Sequence, residues 1–207
     1  MSAALLQDND KCNELVDDRE SCLHVLTWTA LRFTKHTISG GGSNRFLRAF
    51  DEEYEDEDGV KGGDLKKGFL LGRDIPRMVK FDRRPQLDTL IRELTEAFAA
   101  RYEEPPTAKQ LEVLSQMQSS NVPSSFLEEN TAFKYQKRLN DLVSPSWLVD
   151  TFRRFLDAGP WPPSDRAQGQ SISTGSSKKR ARDQGKLELR IPGIKSQRLS
   201  DGSRSGS

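Results

Sequence analysis

The stretch from Asp17 to Phe33, DDRESCLHVLTWTALRF, most limits what this chain can fold into. Its apolar positions, Cys22, Leu23, Val25, Leu26, Trp28, Ala30, Leu31 and Phe33, cover too wide an arc for a helix with one wet face. Such a helix is stable only when other elements cover it on every side. Asp17 followed three residues later by Glu20 reads as a capping-box-like start, and acidic side chains suit the positive end of a helix dipole. The pattern predicts a buried central helix beginning near Asp17.

A second helix is predicted from Pro85. Pro suits a first helical position, and Leu87, Leu90, Ile91, Leu94, Ala97, Phe98 and Tyr102 recur at helical spacing until Pro105 and Pro106 end the run. A short helix is expected over DLKKGFLLG, ending at Gly72, and three weaker helical patterns follow: Thr107 to about Met117, Ser125 to about Leu142, and Pro145 to about Leu156 with Ser144 as cap. Between the first helix and DLKKGFLLG, TISGGGSNRFLRAFDEEYEDEDGVKGGD reads as an exposed insertion with at most one short turn. No segment alternates as a strand should. The expected fold is therefore mainly α. With 34% hydrophobic residues in 207 and a mean hydropathy of -0.73, part of the chain lacks the apolar surface to fold. That part is the Pro-, Ser-, Gly- and charge-rich tail from about residue 159, expected to be disordered.

Several function classes are disfavoured. Basic and acidic residues number 32 and 31, so no nucleic-acid partner is expected. Cys12 and Cys22 have neither the number for a disulfide scaffold nor metal spacing, and no metal site or cofactor is predicted. No apolar run approaches the roughly 20 residues of a membrane span, and the first residues lack a secretory pattern. The expected setting is intracellular, cytoplasmic or nuclear. An EF-hand frame ending in Asp58-Gly59 would put Tyr54 and Leu65 at its first and last ligands, which excludes it. Gly40 to Gly42 lack the following Lys-Ser/Thr of a phosphate loop. His24 and His36 have no paired nucleophile or ligand set in the sequence and read as structural. Lys178, Lys179, Arg180 and Arg182, in KKRAR, form a candidate nuclear-import patch.

DDRESCLHVLTWTALRF resembles the central helix of the protein-kinase C-terminal lobe, in the Asp-Asp-x-Glu-Ser form of casein-kinase-like and fungal-type protein kinases. VKFDRRPQLDTLIRELTEAF resembles the Phe-Asp-x-x-Pro segment and helix late in that lobe, and MSAALL the piece after the activation segment. The fungal-type family is the nearer resemblance, since FDEEYED, GV and RYEEPP follow in its order. The resemblance implies a partial kinase-like C-terminal lobe over residues 1–104, additional C-terminal helices over 105–158, and the tail over 159–207. It implies for Asp18 the place of the family's central-helix carboxylate, which accepts hydrogen bonds from the catalytic-loop backbone; helix capping is the reading favoured for this chain. Val25 and Thr29 fall where the family's internal spine stands, Thr29 departing from the usual apolar residue. Arg84 falls where many kinases pair an arginine with an activation-segment glutamate, which MSAALL does not supply.

Phosphoryl transfer in that family needs a Gly-rich strand loop, a strand Lys, a His-Arg-Asp loop with its Asn, and an Asp-Phe-Gly metal ligand. None occurs in these 207 residues. No catalytic or ATP-binding residue is therefore predicted. The expectation is a truncated kinase-like C-terminal lobe, inactive on its own, that serves as a scaffold or is a gene fragment, with a protein partner reached through the late helices. The alternatives are an incomplete piece of an active Ser/Thr protein kinase, and a nuclear interaction module. In either kinase reading, other elements of the lobe would cover the first helix all round. If those elements are missing, one of its faces must be left open, or be hidden by the helices of Thr107 to Leu156.

Overall fold

A computed structural model describes residues 1–57, 59–120, 122–159 and 161. The import patch Lys178, Lys179, Arg180 and Arg182, and the expected disorder of residues 162–207, lie outside the described residues. The elements are α1 (Ala3–Gln7), α2 (Leu15–Phe33), α3 (Gly40–Arg48), β1 (Tyr54–Asp56), β2 (Gly59–Lys61), α4 (Asp64–Gly72), α5 (Asp74–Met78), α6 (Pro85–Ala99), α7 (Ala108–Ser119), α8 (Ser124–Glu129), α9 (Thr131–Val143) and α10 (Trp147–Asp157). The mainly helical class holds among the described residues.

The central position belongs to α6. It packs against α2, α4, α5, α9 and α10, whereas α2 packs against α3, α6 and α9. Two apolar clusters meet along α6. In one, Leu87 and Ile91 join Ala30 and Leu31 of α2, Phe46 of α3, Phe69 of α4, Ile75 of α5 and the following Val79 and Phe81. In the other, Leu90, Leu94 and Phe98 join Leu23, Leu70, Leu142 and Phe155. Each large side chain so buried contributes on the order of 1.5 to 3 kcal/mol, so these residues supply most of what holds the helices together.

The expectation that α2 is covered on every side is not met. Leu15, Asp18, Cys22, Val25, Thr29 and Arg32 are exposed, at spacings of three and four residues that place them on one stripe. The count of apolar residues misled because Cys22 and Val25 lie on that stripe and Leu26, Trp28 and Phe33 are only half-buried. The late helices do reach α2, through Leu142 and Phe155, but on the flank beside the stripe. Its start also differs: Glu14 is the N-cap and forms the capping box with Asp17, so the helix begins at Leu15. Glu20 is then free for other partners.

Three further differences have local causes. The segment expected to be an exposed insertion holds α3, whose Phe46 is buried against Phe69 with ring centroids 4.8 Å apart. Burial of that ring outweighs the poor helix propensity of Gly40 to Gly42. The same segment also forms a short antiparallel hairpin, Tyr54 opposite Lys61 and Asp56 opposite Gly59. The pattern from Ser125 to Leu142 is broken into α8 and α9 because the Asn130 side chain accepts from the Phe133 amide and starts a new helix. Ser144 closes α9 instead of opening α10, which starts after Ser146. Pro85 stands at the start of α6 as its ring favours.

Candidate functional site

The first half of α2 carries a buried charged network. Asp17 and Glu20 have fully buried side chains, one turn apart on the face toward α1 and the end of α6. Arg101, just past α6, reaches both: one guanidinium nitrogen is 2.7 Å from Asp17 and the other is bonded to Glu20. Asp17 also accepts from Lys11 Nζ at 2.6 Å, from Ser2 Oγ at 2.9 Å and from the Glu14 amide at 3.0 Å. Glu20 accepts from the Ala3 amide at 2.7 Å and from the Tyr102 hydroxyl at 2.8 Å. Burial opposes ionisation of both carboxyls, yet the hydrogen bonds and cations outweigh it and hold both below the usual carboxylate range. Burial, reinforced by Glu20, pushes the Tyr102 phenol up, so it stays a donor. These groups are consumed by one another and tie α1, α2 and the end of α6 together.

Beside the network lies a small cavity of about 20 Å³, room for one water, lined in part by His24, Thr27, Lys66 and Thr95. His24 is buried and its Nε2 is 3.2 Å from Glu20. Burial pushes its pKa down more than Glu20 restores it, so the ring is neutral, with Nε2 donating to Glu20 and Nδ1 left as an acceptor. Lys66 is only 6% exposed, and its ammonium sits 5.9 Å from the centre of the Phe50 ring. No hydrogen bond or ion pair to another side chain satisfies it among the described residues. Burial lowers its pKa, with Glu20, Glu52 and Asp51 opposing.

The open feature is a groove of about 260 Å³ between α2 and α10, floored by α6. Leu26 and Ala30 form one wall, Phe152, Phe155 and Leu156 the other, with Leu87 and Leu90 beneath and Trp161 closing one end. Trp161 is held there by its indole N–H donating to the Phe155 carbonyl at 3.2 Å. The stripe residue Thr29 forms part of the wall, and Val25, four residues earlier on the stripe, is 65% exposed. A larger polar cleft, about 580 Å³, lies around Glu103, Pro106 and Tyr135. There Arg73 pairs with Glu103, and Arg138 approaches the same carboxylate at 3.8 Å.

Asp18 faces solvent and accepts from Asn13 Nδ2 at 3.2 Å; the capping carboxylate is its neighbour Asp17. Val25 and Thr29 lie on the exposed stripe, and Arg84 lines the groove. The buried network was missed in the sequence because Arg101 and Tyr102 stand more than 80 residues from the acids they bind. A signal was present: Asp17 and Glu20 share a helix face at a spacing of three within an apolar stretch, which demands cationic partners if that face is buried. Among the described residues no group of three or more His, Cys, Asp or Glu is arranged to hold a metal ion, and no helix is long and apolar enough to cross a membrane. No family model matches this chain, and no curated protein or solved structure is significantly similar to it.

Proposed function

We propose that these residues form a helical protein-interaction module, built like part of a kinase C-terminal lobe and without phosphoryl-transfer chemistry of its own. The observation that carries this is the open apolar groove beside the uncovered stripe of α2. A surface of that kind, where Val25 and Leu156 are 65% and 58% exposed, is one that binding would cover. One feature supports the kinase-like part: an Asp-Asp-x-Glu-Ser helix packed on the helix that follows Phe81-Asp82-x-x-Pro85. The non-catalytic part is supported by the lack of the nucleotide and metal motifs in the 207 residues.

Titration of the chain with ATP and Mg²⁺ by calorimetry, up to millimolar nucleotide, tests the non-catalytic part. The expected trace shows only heats of dilution. A saturable heat, or phosphate transfer to a generic basic protein substrate, refutes it.

A further inference from the structure

We propose that Lys66 captures a one-carbon aldehyde covalently, its amine and the carbonyl condensing to an imine in the small cavity among α2, α4 and α6. Every residue lining that cavity is buried except Phe50, which is half-buried, so the Phe50 ring marks its mouth. His24 and Lys66 both stand against this ring, the His24 ring at 6.0 Å between centroids and the ammonium at 5.9 Å. No carboxylate lines the cavity. The Lys66 ammonium therefore has an aromatic ring beside it and no hydrogen bond or ion pair among the described residues. On the same wall the Thr95 hydroxyl donates to the Ile91 carbonyl at 2.7 Å, and His24 Nε2 is engaged by Glu20. Neither holds the amine, which is left to whatever small molecule enters past Phe50.

Burial dictates the chemistry. An ammonium taken out of water without a partner is costly, and a reaction that removes its charge removes that cost. Burial lowers the Lys66 pKa against the pull of Glu20 on α2 and of Asp51 and Glu52 after α3, while the Met1 amine repels the ammonium and His24 is neutral. Glu20 is already taken by Arg101 and Tyr102, and Glu52 by the Leu65 amide at 2.9 Å. The neutral amine is the nucleophilic form of lysine. Its nitrogen bonds to the carbonyl carbon, the C=O electron pair passes to oxygen, and both amine protons end on that oxygen, which leaves as water and gives C=N. Nothing is oxidised or reduced. The imine is uncharged, so burial favours it at Lys66, whereas an exposed lysine gives up a well-hydrated ammonium to form the same bond. Size selects the aldehyde: the cavity of about 20 Å³ has room for one water, space that a single methylene on Nζ would fill and a larger carbonyl would exceed.

The test adds isotope-labelled formaldehyde to the full chain at near-neutral pH and follows its adducts by carbon NMR. One adduct signal should vanish in Lys66→Met and persist in Lys67→Met, which removes the half-buried amine next in sequence. The signal lost in Lys66→Met should be several-fold more intense than any lost in Lys67→Met. Adducts of exposed Cys12 and Cys22 are common to all three chains and cancel in the comparison. Circular dichroism establishes that the variants are folded; if Lys66→Met is not, Lys66→Gln replaces it. A free peptide with the Asp64–Gly72 sequence should show no preference between its two lysines. An aromatic aldehyde should give no adduct that depends on Lys66. Identical spectra for the parent chain and Lys66→Met, or equal losses in the two variants, overturn the proposal. So does the same preference in the free peptide, since local sequence and not the cavity then selects the amine. A Lys66-dependent adduct with the aromatic aldehyde overturns the one-carbon assignment.

Discussion

Replacing Arg101 by Met removes the cation shared by two buried carboxylates. The Arg101 side chain is 12% exposed and holds fully buried Asp17 and Glu20 at once, so two charge-assisted hydrogen bonds are lost together. The acids are not left bare: Asp17 keeps Lys11, Ser2 and the Glu14 amide, and Glu20 keeps Tyr102 and the Ala3 amide. Breaking a buried pair from one side typically costs about 3 to 5 kcal/mol, and the remaining donors place this case near the lower figure. Against a domain stability of about 5 to 15 kcal/mol, that is a large fraction. Urea unfolding followed by tryptophan fluorescence should show the midpoint fall by about 1 M or more at unchanged slope. Glu20→Gln placed on Arg101→Met should recover part of the loss, because Glu20, unlike Asp17 with Lys11 at 2.6 Å, is the carboxylate left with no bonded cation. A loss under about 1 kcal/mol would mean that the pair behaves like an exposed one, screened by water, and the account of the network would be wrong.

Lys66→Met should stabilise the chain by about 1 to 2 kcal/mol, since an ammonium with no bonded partner among the described residues is replaced by an apolar side chain of similar length over Phe50. Differential scanning calorimetry should register a rise of about 3 °C per kcal/mol, and an unchanged or lower transition would refute it. In the acid range, below the ordinary values of Lys66 and the Met1 amine, stability should also fall on acidification in two stages. His24 has a folded pKa below its ordinary 6.5, so the unfolded chain takes up a proton first and stability declines as pH drops below 6.5. Asp17 and Glu20 are likewise depressed, so their contribution is present above their ordinary values of 3.8 and 4.5 and is lost as pH falls through the folded values. His24→Gln should remove the first stage of a urea-midpoint profile against pH and leave the second. An unaltered profile in that variant would show that His24 is not the group involved.

The legible part of this fold is the part written in local pattern. Pro85 and the leucines after it define α6 because ring geometry and helical period both act within a few residues. The spacing could not show that α6, not α2, is the hub. Both helices are rich in apolar residues, and which one is surrounded depends on where α4, α5, α9 and α10 dock. α3 was hidden for the same reason: three glycines argue against a helix until Phe46 finds Phe69. At the candidate site, Asp17 and Glu20 were visible as charges in an apolar setting, but their partner Arg101 is 84 residues from Asp17. Such pairings follow from the tertiary fold alone, as does the difference between Asp17, buried, and Asp18, in water.

The network and the groove lie on different parts of α2, and the separation has a mechanical consequence. The charged bonds fasten the first half of α2 to Ala3, Tyr102 and Arg101, while Leu23, Ala30 and Leu31 fasten its inner face to α6 and its neighbours. Every attachment is on one side, so the stripe of Cys22, Val25, Thr29 and Arg32 is held in place without being covered. A rigid wall of this kind loses little side-chain or backbone freedom when a partner docks, which favours binding for a given contact area. Arg101→Met should therefore loosen the exposed stripe under conditions where the chain is still folded. Amide exchange in Cys22 to Arg32 should quicken in the same variant. If exchange there is unchanged in the folded variant, the stripe is held by the apolar contacts to α6 and not by the charged bonds, and the link between the two sites fails.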